Sequence, residues 1–254
     1  MERIIKELSG FSGSKIYLME NDMKKLFVRK IGNIERNYER MVALSQAYYP
    51  VPEIYWTEHS MLDMEYIHGL DMRSYLIDNT VNDLSDFLIG ILSGFKKSSK
   101  IKDVYGRDEM ASKVYENNRW INRLPIFNMM ETLMESARNV YTHSFFYHGD
   151  MTLENIIKSK DQFVLIDPVT VDYDSYVFDI AKLRQDLNCK WFLRRNSAML
   201  DGKLNELEHN ILEEFPEAND DNLLILMLLR VLKHAPVGSM EYEFLMKEIN
   251  RLWK

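Results

Sequence analysis

The chain has 254 residues, 46% of them hydrophobic, enough for one two-lobed unit or two small domains with a full core. A formal net charge of −7 and a pI near 5.5 argue against a nucleic-acid binder. The single cysteine, Cys189, excludes an intrachain disulfide and suits a reducing compartment. The opening MERIIKELSG lacks a signal-peptide core, and the longest apolar run, residues 223–229, is far too short for a bilayer. A cytoplasmic protein with no membrane partner is expected.

Residues 8–17 (LSGFSGSKIY) read as a small-residue turn running into an alternating strand. Small residues such as Ser12 and Gly13 let backbone N–H groups approach phosphate oxygens, although an ordinary hairpin would use them equally. Residues 26–30 (LFVRK) form a strand ending in two cations, with Val28 and Lys30 on one face and Arg29 on the other. Asn33 can cap a helix through Ala47, on which Glu35 and Glu39 stand four apart and share a face. Pro50-Val51-Pro52 leads to a further strand, and residues 62–69 (LDMEYIHG) read as a strand followed by a bend. From about residue 70 helices dominate. Residues 71–97, 108–120 and 128–141 carry apolar side chains at helical spacing.

Residues 147–167 (YHGDMTLENIIKSKDQFVLID) are the most informative stretch. His148-Gly149-Asp150 forms a turn, and residues 154–157 alternate into a short strand. Residues 159–162 read as a polar connection, and residues 163–166 as a second, buried strand that Pro168 must stop. Asp150, Asn155 and Asp167 can therefore return to one place. An amide and a carboxylate are hard oxygen ligands suited to Mg2+ that keeps water and phosphate oxygens. Asp150, off the metal, can accept the proton of a substrate hydroxyl. A zinc site at His148 is disfavoured, because no second His or Cys stands at ligand spacing. After the hairpin, helices are expected from Asp179 and over 204–214, 222–233 and 240–253.

The segment resembles the catalytic core of the aminoglycoside phosphotransferase and choline kinase family, relatives of the protein kinases. Its loop reads H-G-D-x-x-x-x-N, as residues 148–155 do, and its metal-binding Asp follows in an I-D-P context, as residues 166–168 do. Residues 64–69 (MEYIHG) match the M-E-Y-I-x-G hinge of these kinases. The long activation segment of protein kinases, ending in A-P-E, has no counterpart. The resemblance implies an α+β, two-lobed protein-kinase-like fold, with a small antiparallel-sheet lobe over 1–68 and a larger, mainly helical lobe over 69–254.

It also implies roles. Asp150 is the catalytic base, Asn155 and Asp167 hold Mg2+, and Asp179 braces the catalytic loop. Lys30 contacts the α/β-phosphates, with Arg29 as the less favoured substitute, and pairs with Glu39 in preference to Glu35. Ser12 and Gly13 approach phosphate, and adenine bonds to backbone near Glu65 and Ile67. The cofactors implied are ATP, with GTP left open, and Mg2+. The ligand site is expected in the cleft between lobes. The partner is a small-molecule hydroxyl acceptor: a sugar, an amino alcohol or an aminoglycoside-like compound. Asp172, Tyr173, Asp174, Tyr176, Trp191, Glu213 and Glu214 can supply acidic and aromatic groups for a cationic or neutral acceptor, or simply form a solvated acidic surface. A catalytically silent nucleotide-binding protein that docks a partner is the alternative, and protein phosphorylation a weaker third. Oligomeric state is not written in the sequence.

Overall fold

A computed structural model describes residues 2–8, 14–100, 104–118, 129–194 and 199–253. Along the chain run β1 (Arg3–Leu8), β2 (Lys15–Glu20), β3 (Leu26–Ile31), α1 (Glu35–Gln46), β4 (Ile54–Glu58), β5 (Met61–Glu65), β6 (Gly69–Asp71), α2 (Met72–Asp78) and α3 (Asn82–Lys97). There follow β7 (Ser99–Lys100), α4 (Val104–Asn118), α5 (Met130–Val140), β8 (His143–Ser144), β9 (Ile156–Ser159), β10 (Phe163–Leu165), α6 (Tyr176–Leu187), α7 (Asp201–Glu214), α8 (Asp221–Leu232) and α9 (Met240–Leu252). The chain divides into two compact units. One comprises Met1–Tyr75 with Glu154–Val171, the other Leu76–Leu153 with Asp172–Lys254. The class is α+β, as expected.

In the first unit an antiparallel sheet runs in the order β1-β2-β3-β5-β4 among the described residues. The β2–β3 turn is set by Asn21, whose side-chain oxygen accepts from the N–H groups of Met23 and Lys25, both at 3.0 Å. The register puts Lys30 opposite Leu62 and Val28 opposite Met64, so these four share a face. That face meets α1, where Ile34, Met41, Leu62 and Met64 form a core cluster joined by Val28 and Ile54. Arg29 points the other way and grips Asp63 across the strand pair with two bonds, 2.7 and 2.6 Å.

A second sheet of the same unit has the order β10-β9-β6. Because β6 pairs with β9, the hairpin of 156–165 belongs with the N-terminal strands. The division into units falls after Tyr75, and residues 154–171 group with the first unit. Gly69, the last residue of the hinge motif, shows why that position is a glycine. A Cβ there would lie 2.3 Å from the Lys158 carbonyl oxygen and 2.8 Å from Ile157. β9 approaches too closely for any side chain.

The second unit is mainly helical among its described residues. α8 packs on α5, α6 and α9. Residues 223–229 are all buried there, so the leucine-rich run is core, each large side chain contributing about 1.5–3 kcal/mol by leaving water. Asp220 caps α8 by accepting from the Asn222 N–H at 2.8 Å, and Ser239 caps α9 through the Tyr242 N–H at 3.2 Å. The expected helix over 71–97 is broken into β6, α2 and α3. Among the described residues no helix is long and apolar enough to cross a membrane.

Candidate active site

In the first unit, Lys30 ends the inner face of β3 and is almost fully buried. Its ammonium donates to Asp167 Oδ1 at 2.5 Å and to Asn37 Oδ1 at 3.1 Å. Asn37 in turn donates through Nδ2 to Asp167 Oδ1 at 3.0 Å and to the Pro168 carbonyl at 2.8 Å. An amide suits this place because it accepts at one end and donates at the other. A carboxylate at 37 could receive Lys30 but could not donate to Asp167 or Pro168.

This corrects the expected Lys30–Glu39 pair. Glu35 and Glu39 do share a face of α1, and both are exposed. The inward face carries Asn37, Met41 and Leu44, and two residues along a helix is a turn of about 200°. The glutamates on either side of Asn37 therefore point to solvent. The apolar phase of α1, through Ile34, Met41 and Leu44, was the signal that singles out Asn37.

The hairpin brings the backbones of Asn155 and Asp167 close together. Leu165 pairs with Ile156, and the Ile166 N–H donates to the Asn155 carbonyl at 2.9 Å. Asp167 follows with φ +55°, a left-handed backbone that Asp tolerates better than most residues. Its carboxylate is 38% exposed, so one oxygen is held by Lys30 and Asn37 while the group keeps an open side. One carboxylate and one amide form a set of hard oxygen donors. It fits Mg2+ bound through phosphate oxygens and water, and not a self-sufficient metal cage. Among the described residues no group of three or more His, Cys, Asp or Glu side chains that could hold a metal ion occurs.

Of the other nucleotide residues, Ser12 and Gly13 lie outside the described residues. Glu65 closes β5, with its N–H donating to the Glu53 carbonyl at 2.8 Å. Ile67 stands in the connection between β5 and β6, in neither strand. The flanking Tyr66 and His68 rings meet edge to face at 4.6 Å.

In the second unit the H-G-D turn is built on α6. Asp179 accepts from the His148 N–H at 2.6 Å and the Gly149 N–H at 2.7 Å, and Asp186 accepts from the Leu153 N–H at 2.7 Å. Asp179 braces the loop as expected. Gly149 has φ +83°, which its missing Cβ permits. His148 is wholly buried and accepts at Nδ1 from the Asp150 N–H at 3.3 Å. The buried imidazole supports the turn.

Between Asp179 and Asp186 on the same helix face stands Lys182, which sequence reasoning passed over. Its ammonium lies 3.3 Å from Asp150 Oδ1 and donates to Gln185 Oε1 at 3.2 Å. Burial pushes the Asp150 carboxyl up, but Lys182, Arg230 and His148 together prevail and hold it below the usual carboxylate range. Burial holds Lys182 below the usual lysine range, against the pull of Asp150. Asp150 is thus an ionised carboxylate, partly open to solvent and aimed by a buried cation. Arg230, also missed, reaches from α8 to the Gly149 carbonyl through both terminal nitrogens, at 3.2 and 3.1 Å.

No family model matches the sequence, and no curated protein does. Solved structures do. A choline kinase from Cryptosporidium parvum aligns over 99% of this chain and 88% of its own, with TM-score 0.58 and 11% identity. An ethanolamine kinase from Plasmodium vivax aligns over 99% and 81%, with TM-score 0.56 and 13% identity. The amicoumacin kinase hAmiN, solved in complex with AMP-PNP, Ca2+ and Ami, aligns over 97% and 87%, with TM-score 0.53 and 12% identity. The chain has the protein-kinase-like fold of these small-molecule kinases. At such identities the likeness extends to the fold, and chemistry must be argued from the residues themselves.

Most of the acidic and aromatic groups expected to receive a cationic acceptor are engaged or buried, while Asp172 is half-buried near Lys233. Asp174 accepts from the Tyr141 hydroxyl at 2.5 Å and pairs with His143 at 2.9 Å. Tyr176 is buried, its hydroxyl donating to Glu217 at 2.6 Å. Tyr173 and Trp191 are buried, the latter against Phe244 with Arg194 over its ring. Glu213 and Glu214 are exposed at the end of α7, and Glu213 stands 3.5 Å from His209. These residues do not form a cage.

Proposed function

We propose that the protein is an ATP- and Mg2+-dependent phosphotransferase that moves the γ-phosphoryl group to a hydroxyl of a small molecule. The observation that carries this reading is the meeting of buried Lys30 with Asp167, 137 positions away, on a hairpin whose Ile166 N–H bonds the Asn155 carbonyl. A cation for phosphate and two oxygen ligands for Mg2+ thus occur in one unit. Asn155 and Asp167 would hold Mg2+, which supplies charge neutralisation on the phosphates. Lys30 would hold phosphate oxygens, and the backbone around Ile67 the base. The same contacts would take GTP.

Asp150, on its braced loop in the other unit, would orient the acceptor hydroxyl and take its proton late, as the transition state is loose. Lys182 keeps Asp150 ionised and positioned before the acceptor arrives. A ³¹P NMR screen of sugars, amino alcohols, hydroxy acids and sugar phosphates with Mg-ATP tests the reading. A new phosphate monoester signal that depends on both Mg2+ and acceptor is expected. Calorimetric uptake of Mg-ATP without transfer to any acceptor would instead point to the catalytically silent alternative.

A further inference from the structure

The second unit gathers positive charge beside Asp150. Lys182 approaches it from α6, and Arg230 is held on the neighbouring Gly149 carbonyl from α8. The Arg230 guanidinium also lies over the Tyr173 ring, 4.9 Å from its centre. Lys233 and His234 follow Arg230 by three and four residues, hence on its side of the helix end and within about one 5.4 Å turn of it. Both are exposed. Cations are favoured at any helix C-terminus, which accounts for Arg230 or Lys233 singly. It does not account for Lys182 converging on them from a different helix.

Two of the four nearby acids are buried against the loop, and Asp172 offsets part of the charge of Lys233. Asp179 and Asp186 are turned onto backbone N–H groups of the loop, and Asp150 is matched by Lys182. The cations also press on one another. Partial desolvation and then Arg230 hold Lys233 below the usual lysine range, while partial desolvation and then Lys233, Arg230 and Lys182 hold His234 below the usual imidazole range, so His234 is the least charged of the group. Groups that repel each other in the empty site gain when an anion arrives.

We propose that the acceptor is an anionic hydroxyl compound, a sugar phosphate or a hydroxy acid, whose negative group is received by Arg230 and Lys233 while its hydroxyl meets Asp150. This rests on the phosphotransferase reading above and names its substrate class. An ammonium-bearing acceptor would meet like charge here.

The test compares glucose 6-phosphate and gluconate with glucose, glucosamine and choline. Each is offered as acceptor with Mg-ATP and product mass is read; each is also titrated by saturation-transfer NMR without nucleotide. The anionic members should bind and be phosphorylated, with phosphate and carboxylate arms separating the two sources of charge. The exposed Lys233→Glu variant should raise KM for the anionic acceptor about five- to tenfold with kcat nearly unchanged. Lys233→Arg should restore it, and added salt should raise KM in the wild type. Transfer confined to neutral or cationic acceptors would overturn the inference and leave the phosphotransferase standing. Failure of both anions to bind, or binding indifferent to Lys233→Glu, would also overturn it. Anion binding lost in Lys233→Glu, with no transfer to anything, would uphold the anion site and count against the phosphotransferase.

Discussion

The two halves of the proposed machinery solve the same electrostatic problem with different chain segments. In the first unit Lys30, its side chain 3% exposed, holds Asp167, 38% exposed. In the second, Lys182 at 7% holds Asp150 at 35%. Each lysine is steadied by a neutral amide, Asn37 at 3.1 Å or Gln185 at 3.2 Å. They differ in how closely the lysine approaches. Asp167 receives both Lys30 and the Asn37 amide on one oxygen, at 2.5 and 3.0 Å. Asp150 has the looser 3.3 Å approach of Lys182. A group meant to bind a metal can be locked in place, whereas one that must take a proton from a substrate needs an open lone pair. A carboxylate about one-third exposed on a buried cation serves both.

Breaking the second half should cost most activity. Asp150→Asn is expected to lower the transfer rate about 10²–10⁴-fold with Mg-ATP binding unchanged by calorimetry. Next, Lys182→Met removes the strongest influence lowering the Asp150 carboxyl and leaves the burial that raises it. The wild-type carboxylate stays ionised through the ordinary carboxylate range, so its stabilising contribution is present above the unfolded value and lost only as pH falls through the lower folded one. The acid limb of the pH–rate profile should therefore lie below the usual Asp range in the wild type and move upward in Lys182→Met. Stability should fall by about 2 kcal/mol in chemical denaturation, less than for a fully buried pair because Asp150 partly meets water.

The first half is tested by a contrast on α1. Asn37→Ala strips the amide that joins Lys30, Asp167 and Pro168 and should cost about 1–2 kcal/mol in chemical denaturation, with weaker Mg-ATP binding. Glu39→Ala, on the solvent face, should stay within about 0.5 kcal/mol and leave nucleotide binding alone. The reverse order would restore the glutamate as the lysine's partner.

The carboxylates of both halves were legible in the sequence, because each sits in a short local pattern: the H-G-D turn with Asn155, and the strand that ends at Ile166-Asp167-Pro168. The fold class followed from alternating strands before residue 66 and helical spacing after residue 70. The lysine and amide partners were harder. Asn37 is a single polar residue in an amphipathic helix, and the glutamates beside it offered a more familiar pairing. Lys182 and Arg230 act from helices whose packing the spacing of residues does not reveal. The grouping of residues 154–171 with the first unit was hidden for a related reason, since β6 pairs with β9, far along the chain, and no local signal announces a long-range ladder. The acidic and aromatic residues after Asp167 suited either an acceptor pocket or a solvated surface, and sequence could not show that Asp174 and Tyr176 are hydrogen-bonded internally.

The most direct test is a single-turnover measurement of γ-phosphoryl transfer from Mg-ATP to a hydroxyl acceptor, run side by side on the wild type and Asp150→Asn with nucleotide occupancy matched. Fast formation of a phosphate ester in the wild type, collapsing in the variant, is the expected result. Equal rates in both proteins would contradict the account.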